Sequence, residues 1–175
     1  MQKYYAGITL IEVLTILLIM TLSILVITPT WQQFNHQIRL YIEQWRLQQY
    51  LLQVQQRANY AMTNWQLRVS ISADRQRWCL IAQADNSPCD CLALTHCNRA
   101  ERLLYYPYSS TVSFITKANY PQIITSFDNV RHTMRNSCFL LQSGSHRFLF
   151  KYSGFGGVKI DKNDSTSACL NYDVS

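Results

Sequence analysis

Gly7-Ile8-Thr9-Leu10-Ile11-Glu12 opens a run of apolar residues that continues to Pro29, and Glu12 is the only charged side chain in that run. The run matches the roughly 20 residues that cross a bilayer as a helix. Insertion scales penalise a carboxylate inside such a helix by about 2.5–3.5 kcal/mol, which makes Glu12 a functional candidate by default. A secretory signal has the reverse order, with a basic start, a shorter apolar stretch and cleavage after that stretch at small residues. Here the small pair Ala6-Gly7 comes before the apolar run, so cleavage beside it releases a short polar leader and leaves the span attached.

These residues resemble the N-terminal motif of the type IV prepilins and pseudopilins: a short leader ending in Gly, then an apolar residue, Thr-Leu-Ile-Glu and a hydrophobic helix. Pro29 falls where the family often places a proline in its first helix. The chain departs in having Ile8 where Phe is commonest and in a leader with one basic residue, Lys3. The resemblance implies that a prepilin peptidase cuts between Gly7 and Ile8 and methylates the new amino group of Ile8. It implies that Glu12 then attracts the terminal amine of a neighbouring subunit, each charge offsetting part of the cost of the other in lipid. It also implies that other pilins are partners through the helix. The protein is then a single-pass inner-membrane protein with a periplasmic head, later part of a pilus or pseudopilus at the cell surface. A plain membrane anchor, with Glu12 at the interface, is the alternative.

After Pro29, Trp31, Phe34, Ile38, Tyr41, Ile42 and Trp45 recur at helical spacing. Leu47, Leu51, Val54, Ala58, Ala61 and Trp65 repeat that spacing out of phase. One helix with two contact faces fits this pattern, the first half facing other helices and the second its own head; a single irregular core face fits it equally. From Gln66 the period becomes two, and strands are expected at Leu67–Ile71, Trp78–Ile81, 103–106, 112–116, 123–127, 139–142, 148–152, 158–160 and 169–172. The expected chain is α+β: a leader at 1–7, a membrane and filament-core helix at 8–29, its amphipathic continuation at 30–65 and an antiparallel β-rich head at 66–175.

All six cysteines, Cys79, Cys89, Cys91, Cys97, Cys138 and Cys169, lie in the head, and an even count in a translocated domain predicts disulfides. Cys138 with Cys169 closes a loop around Gly154-Phe155-Gly156-Gly157. Cys89, Cys91, His96 and Cys97 form a zinc alternative, but an oxidising compartment competes with thiolate ligation, and no metal or other cofactor is expected.

The C-terminal half is similar to the FimT and GspH group of minor pilins and pseudopilins, on Phe148-Leu149-Phe150-Lys151-Tyr152 followed by Ser153-Gly154-Phe155-Gly156-Gly157. Turn geometry alone also accounts for these glycines. The chain carries 16 Lys plus Arg against 10 Asp plus Glu, for a net charge of +6. Arg131, His132, Arg135, His146, Arg147, Lys151, Lys159 and Lys162 lie toward the C-terminus with Tyr152 and Phe155. That composition suits phosphate contacts and base stacking. Since some FimT-like proteins bind DNA in natural transformation, the resemblance makes Arg131, Arg135, Arg147, Lys151, Lys159 and Lys162 candidate contacts to double-stranded DNA. A solvated basic face is the plain alternative. H-E-x-x-H, G-x-S-x-G and Walker patterns are absent, and His132 and His146 beside Asp128 and Asp161 do not make a site, so no catalytic residue is expected. The expected function is a minor pilin contributing to DNA uptake. A minor pseudopilin of type II secretion and an assembly subunit without DNA binding are the alternatives.

Overall fold

The computed structural model describes residues 9–61, 63–84, 89–97, 101–116, 122–128, 133–154 and 157–162. The chain divides after Asn35 into two units. Helix α1 runs over Leu10–Tyr60. No glycine interrupts this stretch, and Leu, Gln and Ile dominate it, so propensity and pattern agree. Pro29 lies within α1 and does not end it.

In the first unit the side chains of Leu10, Ile11, Leu14, Ile16, Leu17, Leu18, Ile19, Leu22, Ile24, Leu25 and Ile27 are all exposed. By length and composition this is a helix able to cross a membrane, with a mean hydropathy of 2.8 over its most apolar window. Its few hydroxyls turn back onto the helix: Thr15 donates to the Glu12 carbonyl, Thr21 to those of Leu17 and Leu18, and Ser23 to that of Ile19, over 2.8–3.0 Å. These three hydroxyls are thereby satisfied from within the helix, as lipid requires.

In the second unit α1 packs on two antiparallel sheets. The first contains β1 (Trp65–Ile71), β2 (Trp78–Ala84), β3 (Arg102–Tyr105), β5 (Gln122–Asp128) and β6 (Thr133–Met134), in the order β3-β2-β1-β5-β6. The second contains β4 (Ser113–Ile115), β7 (Ser137–Ser143), β8 (His146–Tyr152) and β9 (Val158–Lys162), in the order β4-β7-β8-β9. Leu40, Leu47, Leu51, Val54 and Ala58 of α1 share one core with Trp65, Leu67 and Val69 of β1 and Phe139, Phe148 and Phe150 of the second sheet. An aromatic ladder joins the sheets: Trp78 to Phe114, Phe114 to Phe139 and Phe139 to Phe150, with centroids 5.1, 4.6 and 4.8 Å apart. At these spacings aromatic pairs add to simple area burial.

The helix ends at Tyr60, short of the expected residue 65. Thr63 and Asn64 are poor helix formers, and Trp65 fits the alternation of β1, where Trp65, Leu67 and Val69 all face the core. The expected strands within the described residues are present with shifted ends, whereas 169–172 lies outside them. The two-residue β6 and the β7–β8 turn were not expected. That turn places Gly144 at φ +57°, which a side chain rarely adopts, and a Cβ there would stand 3.4 Å from the His36 ring. His36 Nδ1 lies 3.0 Å from Ser143 Oγ, fixing this hairpin end to α1.

Two disulfides, Cys79–Cys91 and Cys89–Cys97, staple the segment after β2, which includes a short 3-10 turn at Leu94–His96. The thiols of the zinc alternative are therefore engaged as half-cystines. Cys138 is disulfide-bonded as well, and its expected partner Cys169 lies outside the described residues.

Candidate functional site

Glu12 sits in the first turn of α1, exposed, where a carboxylate is favoured by the positive end of the helix dipole. The Thr9 carbonyl accepts the backbone N–H groups of Glu12 and Val13 at 3.1 and 3.3 Å, which places Thr9 at the helix start. Gly7 and Ile8, the expected processing pair, lie outside the described residues.

The two out-of-phase stripes separate by burial. Leu47, Leu51, Val54 and Ala58 are buried, whereas Trp31, Phe34, Ile38, Tyr41, Ile42 and Trp45 are exposed; Leu47 is 0% accessible and Trp45 63%. Within the second unit, α1 therefore turns one face to the core and leaves a second aromatic and aliphatic face open. Contiguous exposed apolar faces of this kind are uncommon on soluble monomers.

Glu43 is a residue that sequence reading missed. It is 0% accessible and accepts hydrogen bonds from the Tyr105 hydroxyl at 2.5 Å and the Tyr108 backbone N–H at 2.9 Å. Arg46, one turn on, lies over the rings of Tyr105 and Tyr108 at 5.9 and 5.5 Å. Tyr50 donates to the Leu103 carbonyl at 2.9 Å. Together these residues tie the segment after β3 to α1. Burial, and then the hydrogen bond to Glu43, push the Tyr105 phenol well above its ordinary range. The signal was present in the spacing: Glu43 lies three residues after Leu40 and four before Leu47, on the buried stripe.

The basic residues do not form one cluster. Arg131 lies outside the described residues, and Arg135 follows β6, next to the first sheet. Arg147, Lys151 and Lys159 share the face of the second sheet opposite its aromatic core, with Lys151 and Lys159 directly across from each other on β8 and β9. Lys162 pairs with Phe148 and so belongs to the other face of the sheet. Lys151 forms an ion pair with Asp161 at 3.1 Å, and Arg147 donates to Gln142 at 3.1 Å. Between Arg147 and Lys151 the same face carries Leu149, fully buried with Leu140. One face of the second sheet thus gathers three of the six expected cations, one of them partly neutralised, and Lys162 stands on the other.

Over 172 residues the chain is 36% identical to an uncharacterized protein of Haemophilus influenzae, a match covering 97% of this chain and 99% of the relative. The chain belongs to that protein's family. Coverage on this scale takes in both the apolar helix and the β-rich head of this chain. No family model matches the chain, and no solved structure matches it.

Proposed function

We propose that the protein is a membrane-anchored filament subunit of the type IV pilin and pseudopilin class, acting as a minor pilin that primes or joins the filament. The observation that carries this reading is the exposure of α1: its apolar run and the stripe from Trp31 to Trp45 are uncovered, while its other face from Leu40 to Ala58 is committed to the head. A helix built only to anchor has no need of an open aromatic face beyond the span. Cleavage between Gly7 and Ile8 would expose the Ile8 amine to a neighbouring Glu12, and the pair would offset part of the cost each charge carries in lipid. Replacing Glu12 with Leu is expected to preserve membrane insertion and lower recovery in sheared filaments at least tenfold. Undiminished recovery would refute the role of Glu12. N-terminal mass spectrometry of the mature chain is expected to find methylated Ile8.

DNA uptake is the second reading, favoured by the row of Arg147, Lys151 and Lys159 and the net charge of +6. Three phosphate contacts predict a slope of log K against log salt of about −2.7 on duplex DNA. The Arg147→Gln, Lys151→Gln, Lys159→Gln variant is expected to flatten that slope, and salt-independent or unchanged binding would leave the assembly role alone. A pseudopilin of type II secretion shares the anchor chemistry, and loss of secretion with pili intact in a deletion strain would favour it.

A further inference from the structure

The face of the first sheet turned away from the shared core changes character along its length. Toward one end Cys79 and Ile81 pack with Cys91 and Leu104 beneath the disulfide-stapled segment. Toward the other end come Gln66 of β1, Gln83 of β2 and Arg102 of β3, while Arg68 stands across from Ile81 and Ser70 across from Cys79. Gln66 stands across from Gln83, and Gln83 across from Arg102. Arg68 is one pleat along from Gln66, so the two arginine Cα atoms are about 12 Å apart by strand spacing and rise. Two extended guanidinium side chains can close that distance over Gln83.

Among the described residues, six buried side-chain polar atoms lack a hydrogen-bond partner, and three of them lie on this face: Arg68 Nε, Ser70 Oγ and Arg102 Nη1. Arg68 spends one of its Nη2 protons on Gln66 Oε1 at 2.6 Å, an orientation that draws the guanidinium toward the Gln66-Gln83-Arg102 row. The acid next in sequence to Arg102, Glu101, is held by Arg57. Asp128 lies at the end of β5, separated from β3 by β1 and β2. Buried donors without a protein partner are rare in native proteins, and each calls for an acceptor. Two of these three belong to guanidinium groups, whose planar fork matches the oxygens of phosphate and carboxylate.

We propose that this end of the first sheet is a binding site for a compact oxyanion, the phosphate or carboxylate group of a ligand, held between Arg68 and Arg102 beside the Gln66 and Gln83 side chains. The site is separate from the Lys151 and Lys159 row, which belongs to the other sheet, and it does not depend on the filament reading. Calorimetric titration of the full chain in neutral detergent with inorganic phosphate, and separately with acetate, tests it. Saturable binding of either anion is expected, weakened at least tenfold by Arg68→Gln or Arg102→Gln and unchanged by Arg147→Gln. Tighter phosphate binding assigns a phosphoryl ligand, and tighter acetate binding a carboxylate. Should the glutamine variants fail to fold, Arg102→Lys, which keeps the charge and loses the fork, is expected to weaken binding at least threefold while the circular dichroism spectrum stays native. No saturable binding of either anion, or binding unchanged by both arginine variants, overturns the proposal.

Discussion

Replacing Glu43 by Ala separates the contribution of the buried carboxylate from that of the packing around it. Its two oxygens accept from Tyr105 and from the Tyr108 backbone, and hydrogen bonds to a charged group contribute about 1.5–3 kcal/mol each. Removing the acid also strands two donors at a buried position. The relief of carboxylate desolvation returns part of the loss, and breaking buried charged networks of this kind costs about 3–5 kcal/mol. Glu43→Gln behaves differently, because its amide oxygen can still accept from Tyr108 while its amide nitrogen donates to the Tyr105 oxygen, a hydroxyl able to reverse its role. That variant is expected to lose about 1 kcal/mol. Urea unfolding of the full chain in detergent, followed by tryptophan fluorescence, should place the Glu43→Ala midpoint about 2 M below wild type, for a urea dependence near 2 kcal/mol/M. A double-mutant cycle with Tyr105→Phe should give a coupling of at least about 1 kcal/mol. The reasoning fails if Glu43→Ala unfolds within 1 kcal/mol of wild type as an order of magnitude, or if Gln proves as damaging as Ala.

Two further outcomes are expected. Burial holds the phenols of Tyr50, Tyr105 and Tyr152 above their ordinary range, so above about pH 10 the unfolded chain releases protons that the folded chain keeps. Stability is therefore complete below that pH and falls as pH rises, by up to about 1.4 kcal/mol per pH unit for each tyrosine, and Tyr50→Phe should lower the slope by about a third; a flat alkaline limb would contradict this. Removing the Cys79–Cys91 bridge, which spans 12 residues, with paired serines should cost about 3 kcal/mol in urea unfolding, and a loss below about 1 kcal/mol would show that the closed loop constrains little.

Local periodicity made much of this fold legible. The shift of apolar phase between Trp45 and Leu47 can be read from spacing alone, and the structure resolves it into an open and a buried face. The alternation in Leu67, Val69 and Ile71 likewise marks β1. Trp65 satisfied both periods, and the weak helix formers Thr63 and Asn64 together with core packing decided for the strand. Other features depend on strand order, which no local pattern encodes. Arg68 and Arg102 share a face because β2 lies between β1 and β3. Lys159 and Lys162 part company because an odd separation on a strand sends side chains to opposite faces. Proximity in sequence suggested one basic cluster where the sheets make several environments.

The two disulfides interleave, with Cys91 reaching back to Cys79 and Cys89 reaching forward to Cys97. Exchanging partners, so that Cys79 joins Cys89 and Cys91 joins Cys97, would close loops slightly shorter than the native ones, and loop entropy would favour that isomer by about 0.4 kcal/mol. Chain statistics therefore select the wrong isomer. Against that small preference stands the burial of Cys79 and Cys91 with Ile81, where Cys89 and Leu104 pack at the margin. Loop length and sheet packing thus pull this pairing in opposite directions, and the native pattern follows the packing.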